Sequence, residues 1–464
     1  MRFTSSAGWL ALFGVWRQLA GALELNVNDI GSIKNATSVV AYGLMKYYSG
    51  NVTDTASTIA VLPEPYYWWE AGAMWGGMLD YYKYTNDSTY LDNTLQALLS
   101  QVGPNYDFMV PAQQFDEGND DQGFWGFAIM SAAEHNITAP PSPTPSWLQL
   151  TINLWNSQVA RWETTTCNGG LRWQIFSSNS GYTYKNSVSN GAFFQLSARL
   201  ARFTGNQTYV EWAQKVWDWE TSVGLIDGNY KVYDGGDMSD NCTSLNHIQW
   251  TYGVAIHLYG AAVMYNYTNA SALWQERTEG MLNASAGFFS PFSNATDVMY
   301  EAACETVYTC NVDQFSFKAY LGRFMWKSTK MAAFTYGTVA KYLEQSSKAA
   351  ARSCSGGTDG VTCGTRWYIN GWDGSWGAGQ QLSALEVMQG LLVNLTAPPM
   401  TEAQVHMPAT VSTSAISSQS TSSTRPDTRA ISSTRATNAA GASAPTTVAA
   451  AMLGAVFVVG AQNI

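Results

Sequence analysis

The chain has 464 residues, a formal net charge of −10 and only 12% charged residues, about half the usual share. Its acidic balance, with no cluster of Lys and Arg, excludes a nucleic acid or an acidic polymer as partner, since both call for concentrated positive charge. The composition suits a neutral substrate and an acidic medium.

Residues 1–22 read as an export signal. Arg2 supplies the positive start, Gly8 to Trp16 the apolar run, and Ala20-Gly21-Ala22 the small residues at the cleavage positions. A short buried helix is the alternative, because the run is too short to span a membrane. Residues 23–398 form one folded region dominated by helical periodicity. The pattern predicts helices near 32–48, 70–85, 90–102, 121–135, 147–162, 190–204, 208–223, 250–267, 271–285, 313–326, 332–350 and 379–395.

These helices carry an internal echo. Gly72 to Leu99, Gly191 to Trp219 and Gly253 to Leu282 each hold a Gly-, Ala- and aromatic-rich helix, a short polar turn, and a second helix with charge on one side. A helix that is apolar all round must be buried, so the first helix of each pair belongs to an inner ring and the second to an outer one. Six such pairs close an all-α (α/α)6 barrel. An open helical solenoid is the alternative, but no polar capping repeats stand at the ends.

From residue 399 to 447 the chain is rich in Ser, Thr, Ala and Pro and reads as an O-glycosylated stalk that buries too little apolar surface to fold. Small residues at 438–441, a spacer to Thr447 and an apolar tail within 448–464 make the pattern of a glycosylphosphatidylinositol attachment signal. A tail-anchored helix is the alternative reading. Eleven Asn-x-Ser/Thr sequons, at Asn35, Asn51, Asn86, Asn136, Asn206, Asn241, Asn266, Asn269, Asn283, Asn294 and Asn394, agree with export to a cell surface. So do six cysteines, an even number. Close spacing favours Cys304–Cys310 and Cys354–Cys363, leaving Cys167–Cys242.

In a barrel of this kind the loops entering the inner helices line one mouth. Those loops hold Tyr66-Tyr67-Trp68-Trp69-Glu70, Asn119-Asp120-Asp121, Tyr182 to Asn190, Asn246 to Trp250, Asn311 to Gln314 and Gly371 to Trp376. Asp120 and Asp121 stand where a helix begins. One reading is that they cap it and complement its dipole. The other is a glycosidase pair, in which two close carboxyls cannot both ionise easily and their pKa values separate. Retaining glycosidases hold the two carboxyls about 5–5.5 Å apart, a spacing that neighbours in a non-helical turn can reach. Other chemistries lack their residues. Four His occur without HExxH or CxxC spacing, and there is no GxSxG elbow or P-loop, so neither metal nor cofactor is implied.

Asn119-Asp120-Asp121-Gln122-Gly123-Phe124-Trp125 resembles the double-aspartate motif of glycoside hydrolase family 76, the endo-α-1,6-mannanases. Pro65 to Gly72, Gly170 to Ile175, Tyr184-Lys185-Asn186 with Ser189-Asn190-Gly191, and Asn370 to Gly374 resemble its fungal branch of anchored cell-wall proteins. The resemblance implies an (α/α)6 barrel and retention of configuration, with Asp120 as nucleophile and Asp121 as general acid/base. It adds Trp68, Trp69, Trp125, Tyr184 and Trp372 as candidate stacking platforms, and Asn190, Asp313 and Asp373 as candidate polar contacts. It also implies a mannan or glycosylphosphatidylinositol-core glycan donor, a β-glucan acceptor, and a lipid anchor to the membrane. A non-catalytic mannan-binding wall scaffold using the same cleft is the alternative function.

Overall fold

The computed structural model describes residues 22–50 and 59–406. The expected export signal (but for Ala22), the Ser/Thr-rich stretch beyond residue 406 and the apolar tail lie outside the described residues. Each of the twelve expected helices is present: α1 (Ile30–Met45), α2 (Trp68–Thr85), α3 (Leu91–Ser100), α4 (Asn119–Glu134), α5 (Trp147–Arg161), α6 (Ser187–Thr204), α7 (Gln207–Ser222), α8 (Thr251–Tyr267), α9 (Ala272–Ala284), α10 (Gln314–Met331), α11 (Tyr336–Ser353) and α12 (Ala378–Gln389). A four-residue helix, α13 (Glu402–Val405), follows. Among the described residues no helix is long and apolar enough to cross a membrane.

The even-numbered helices form the inner ring. Each packs on the next, and α12 packs back on α2 to close the circle. Their sequences explain the arrangement. Every residue of α4 is buried, and so are most of those in α2, α6, α8, α10 and α12, so polar residues have no solvent side to occupy. Close approach relies on small residues. A Cβ added to Gly126 would lie 2.8 Å from Leu196 on α6, and one added to Gly260 would lie 2.4 Å from Phe194. The odd-numbered helices from α1 to α11 wrap this ring and bury one stripe each. In α11 that stripe is Val339, Ala340, Leu343, Ser346, Ser347 and Ala350. The helix α1 packs mainly on α12, so the first and last helices of the ring make the sixth pair.

Helix ends follow ordinary capping chemistry. Asp29 accepts the Ser32 N–H at 2.6 Å, Ser146 that of Gln149 at 3.2 Å, and Asn206 that of Thr208 at 2.9 Å. Asn86 and Gly205 close α2 and α6 in the left-handed conformation. The three disulfides are Cys167–Cys242, Cys304–Cys310 and Cys354–Cys363, the pairing that the spacing favours.

One element departs from the all-α expectation. Strands β1 (Tyr184–Asn186), β2 (Gly235–Asp237) and β3 (Leu245–Asn246) form a small antiparallel sheet in the order β1-β2-β3, with Asn186 opposite Gly235 and Gly235 opposite Asn246. It sits at the mouth where the inner helices begin. At the opposite mouth the chain after α12 crosses the inner-helix ends. The Met400 N–H donates to the Glu134 carbonyl at 2.8 Å, and α13 packs on α6.

The barrel interior toward that distal mouth holds a balanced set of buried charges: Asp80, Glu134 and Glu386 against Arg199, Arg323 and Lys327. Arg199 meets Glu134 at 2.7 Å, Arg323 meets Glu386 at 2.7 Å, and Lys327 meets Asp80 at 2.9 Å. Five of the six inner helices contribute, so the network registers them against one another.

Candidate active site

A cleft of about 600 Å³ opens at the mouth formed by the N-terminal ends of the inner helices. Asp120 and Asp121 lie on its floor, 9% and 8% exposed, in the first turn of α4. Both are inside the helix, at its start as the sequence reading has it, and not in a non-helical turn. The capping role is also present, since the Gly118 N–H donates to Asp121 Oδ2 at 2.5 Å. Asp121 therefore both caps α4 and faces the cleft.

The turn that carries the pair is held from two sides. Asn119 N–H donates to the Trp173 carbonyl at 2.8 Å, and Asn119 Nδ2 to the Arg172 carbonyl at 2.9 Å. From α5, Arg161 Nε donates to Asn119 Oδ1 at 2.8 Å and Gln158 Nε2 to the Asn119 carbonyl at 3.0 Å. Gly118 has no room for a side chain: a Cβ there would lie 2.4 Å from Asp120 Oδ1 and 2.5 Å from Asp121 Oδ2.

Burial raises the pKa of Asp120, outweighing its hydrogen bonds. Burial raises Asp121 too, helped by the charge of Asp120 and then by that of Asp313. The pair therefore holds a proton at a pH where an ordinary carboxyl has lost it. Asn186, which ends β1 and caps α6, donates from Nδ2 to Asp120 Oδ2 at 3.5 Å. Asp120 Oδ1 has no hydrogen-bond partner among the described residues. One oxygen of the carboxylate is thus oriented by Asn186, and the other is buried beside Gly118.

The walls are aromatic and acidic. Trp69, Trp173, Tyr184, Trp250 and Phe317 line the cleft together with Asp116, Asp234 and Asp313, and among the described residues no Lys or Arg does. Trp69 Nε1 donates to Asp313 Oδ1 at 3.1 Å. Asp234 is a hub, accepting from Tyr184 Oη at 2.7 Å, Trp250 Nε1 at 2.9 Å and Asn246 Nδ2 at 3.1 Å.

Of the candidate residues, Asp120, Asp121, Trp69, Tyr184 and Asp313 are brought together in this cleft. The other five do not line it. Trp68 stacks on Trp125 with ring centroids 5.2 Å apart and donates to Gln101, so both indoles are wall-backing core. Asn190 is fully buried and holds the Leu171 N–H and carbonyl at 2.7 and 3.0 Å and the Asn186 carbonyl at 2.8 Å. Asp373 binds Arg366 Nε at 3.0 Å and pins the Thr365 and Ser375 amides of its own loop. Trp372 lies exposed on that loop, its Nε1 on the Ser375 carbonyl. Asp234, Asn186, Trp173, Trp250 and Tyr252 were not singled out as candidates. Asn186 and Trp173 stood inside quoted motifs, and Trp250 inside a mouth loop.

A helical barrel whose mouth holds two adjacent buried carboxylates between aromatic walls has the build of a glycosidase. The family model of glycosyl hydrolase family 76 matches residues 32–403, and the chain belongs to that family. It is 50% identical over 379 residues to Mannan endo-1,6-alpha-mannosidase DCW1 of Candida glabrata, covering 81% of this chain and 83% of that protein. It is 43% identical over 383 residues to Mannan endo-1,6-alpha-mannosidase DFG5 of Saccharomyces cerevisiae, covering 82% of each. The solved structure of Dfg5 from Chaetomium thermophilum in complex with glucosamine superposes with a TM-score of 0.78 at 39% identity, covering 82% of this chain and 94% of that one. A bacterial α-1,6-mannanase of Salegentibacter shares the fold, with a TM-score of 0.61 at 16% identity, covering 81% of this chain and 100% of that one.

Proposed function

We propose that this protein is a retaining, endo-acting mannan endo-1,6-α-mannosidase or transglycosylase of the cell surface, with Asp120 as nucleophile and Asp121 as general acid/base. The observation that carries the reading is a pair of adjacent buried carboxyls, both held above the ordinary carboxylate range, in a cleft lined by aromatics. Asp121 is raised by burial and by the charge of Asp120 beside it, which suits an acid that must still carry its proton. Asp120 lines the cleft and is oriented by Asn186, which suits the nucleophile role that the family resemblance gives it.

In the first step the Asp120 carboxylate forms a bond to the anomeric carbon of an α-mannosyl unit. The C–O bond to the leaving sugar breaks, and that oxygen takes the Asp121 proton. In the second step Asp121 takes a proton from water or an acceptor hydroxyl as its oxygen attacks the same carbon and frees Asp120. Asn186 orients the nucleophile. Trp69, Trp173 and Tyr184 supply flat faces for pyranose rings, and a wall without Lys or Arg suits a neutral or cationic donor. The names of the relatives support α-1,6-mannan as substrate. On the finer level, the donor is a mannan chain or the glycan core of a glycosylphosphatidylinositol anchor, the acceptor a β-glucan hydroxyl, and the attachment a lipid anchor. The sequence pattern of the two chain ends supports that reading.

The test incubates the protein with an α-1,6-mannan oligomer, with and without a β-glucan acceptor, and reads products by mass spectrometry. Asp120→Asn and Asp121→Asn are each expected to lower turnover by about 10²–10⁴-fold with the fold retained. Free shorter mannosides mark hydrolysis, and products joined to the acceptor mark transfer. Undiminished turnover in Asp120→Asn rejects the assignment. Binding without turnover in the parent favours the scaffold reading.

A further inference from the structure

The inner helices begin at the cleft, so their C-terminal ends form the opposite mouth. Five sequons fall at those ends: Asn86 after α2, Asn136 after α4, Asn206 after α6, Asn269 after α8 and Asn394 after α12. Local physics places asparagine there. Asn86, Asn136 and Asn269 have φ of 60°, 51° and 52°, the left-handed conformation that ends a helix and that asparagine tolerates better than most residues. At the end of α6 Gly205 takes that conformation and Asn206 caps the next helix through its Oδ1, which leaves Nδ2 outward. Capping alone asks only for asparagine. It does not ask for Ser or Thr two residues later, and each of the five has one.

All five side chains are exposed, and none lines the cleft. The neighbouring sequon Asn266 is different. Its Oδ1 accepts from Arg202 Nε at 2.8 Å and its Nδ2 donates to the Met331 carbonyl at 3.4 Å, so its amide is engaged in the fold. A cavity of about 510 Å³ opens at this same mouth, and Asn86 and Asn136 both line it, beside Tyr82, Lys83 and His135.

We infer that the cleft-distal mouth is an N-glycosylated face, with glycans on Asn86, Asn136, Asn206, Asn269 and Asn394. The inner sugars of the Asn86 and Asn136 glycans seat in the cavity between them. This rests on the reading of the chain as an exported protein. In each attachment the Asn Nδ2 forms a bond to the anomeric carbon of a sugar donor activated as a lipid-linked pyrophosphate. The pyrophosphate leaves with the bonding pair, and the nitrogen loses one proton. The cleft mouth is left clear of the five glycans, so they shield the protein without obstructing a polymeric substrate.

The experiment takes the full chain secreted by a glycosylating fungal host and removes its glycans enzymatically in ¹⁸O-water. Mass spectrometry of peptides then counts the heavy-aspartate mark at each site. Occupancy at the five distal sites is expected, with Asn266 unmarked. A second arm follows glycan release from the native protein by endoglycosidase, expected to be several-fold slower at Asn86 and Asn136 than at Asn206. Asn86→Gln and Asn136→Gln should each remove one glycan and leave mannan-oligomer turnover unchanged. Occupancy at Asn241, Asn283 and Asn294 with empty distal sites overturns the face assignment while leaving export intact. No mark anywhere overturns both. Equal release rates at Asn86, Asn136 and Asn206 overturn the seating in the cavity.

Discussion

Asp120 and Asp121 occupy consecutive positions in one helical turn, and neither loses its proton without feeling the other. Both are pushed above the ordinary carboxylate range by burial, Asp121 further by its neighbour's charge. Turnover that needs Asp120 ionised and Asp121 protonated follows a bell. Its acid limb, set by Asp120, is expected above the pH at which a free Asp titrates, and a pH profile of kcat/KM on the mannan oligomer checks it. Burying two like carboxyls also costs stability. Asp120→Asn is therefore expected to melt higher than the parent at pH 8, with the gap closing toward pH 4, where the parent's carboxyl is protonated as well. At this scale the sequence announced chemistry but not facing. Trp68 and Trp69 are adjacent in α2, about 100° apart around the axis. One indole turns to Trp125 and the core, the other to Asp313 and the cleft. Nothing in the letters WW says which.

At the scale of elements, Gly118 is the residue whose smallness the site depends on. Gly118→Ala removes no functional group, yet its methyl would fall on both carboxylates and within 2.9 Å of the Trp173 carbonyl. Turnover is expected to drop by at least tenfold while the melting temperature moves by only a few degrees, checked by kinetics beside thermal melts. The helices themselves were legible because long runs carry period and caps. The sheet was not. Its strands are two or three residues long, too short for alternation to register, and β1 lies about fifty residues before the β2–β3 pair. That is why Asp234, brought beside Tyr184 by strand pairing, escaped notice while Asp120 did not. Asn190 and Asp373 were legible as conspicuous polar residues, but their work is to hold loops, a distinction only contacts reveal.

Across the whole molecule, protons are held in two opposite ways. Burial drives Glu117 up to about 7 and Glu301 up to about 8, from an ordinary 4.5. Such groups bind protons in the native state that the unfolded chain has lost, so their contribution is full below about 4.5 and is lost as pH rises through 7 to 8. His257, raised despite burial by Glu220, acts in the same direction; His135, depressed by burial, acts against it. Burial works to raise Asp80 and Glu134 as well, but Lys327 and Arg199 respectively overcome it and hold them low. Their contribution is present above an ordinary carboxyl's pKa and lost on further acidification. Greatest stability is expected on the acidic side of neutrality, with the melting temperature falling from pH 5 to pH 8. Within the distal network, Arg323→Met strands Glu386 and weakens the hold on Asp80. It is expected to cost about 3–5 kcal/mol in denaturant unfolding.

The path of the chain past Met400 sets an orientation. Residues 396–406 cross the far mouth, tied to α4 by the Met400 amide, so whatever polypeptide continues from His406 sets out from the end opposite Asp120. Like the foot under a cup, that described stretch of chain lies at the base of the barrel and leaves the open bowl, with its two carboxylates, unobstructed.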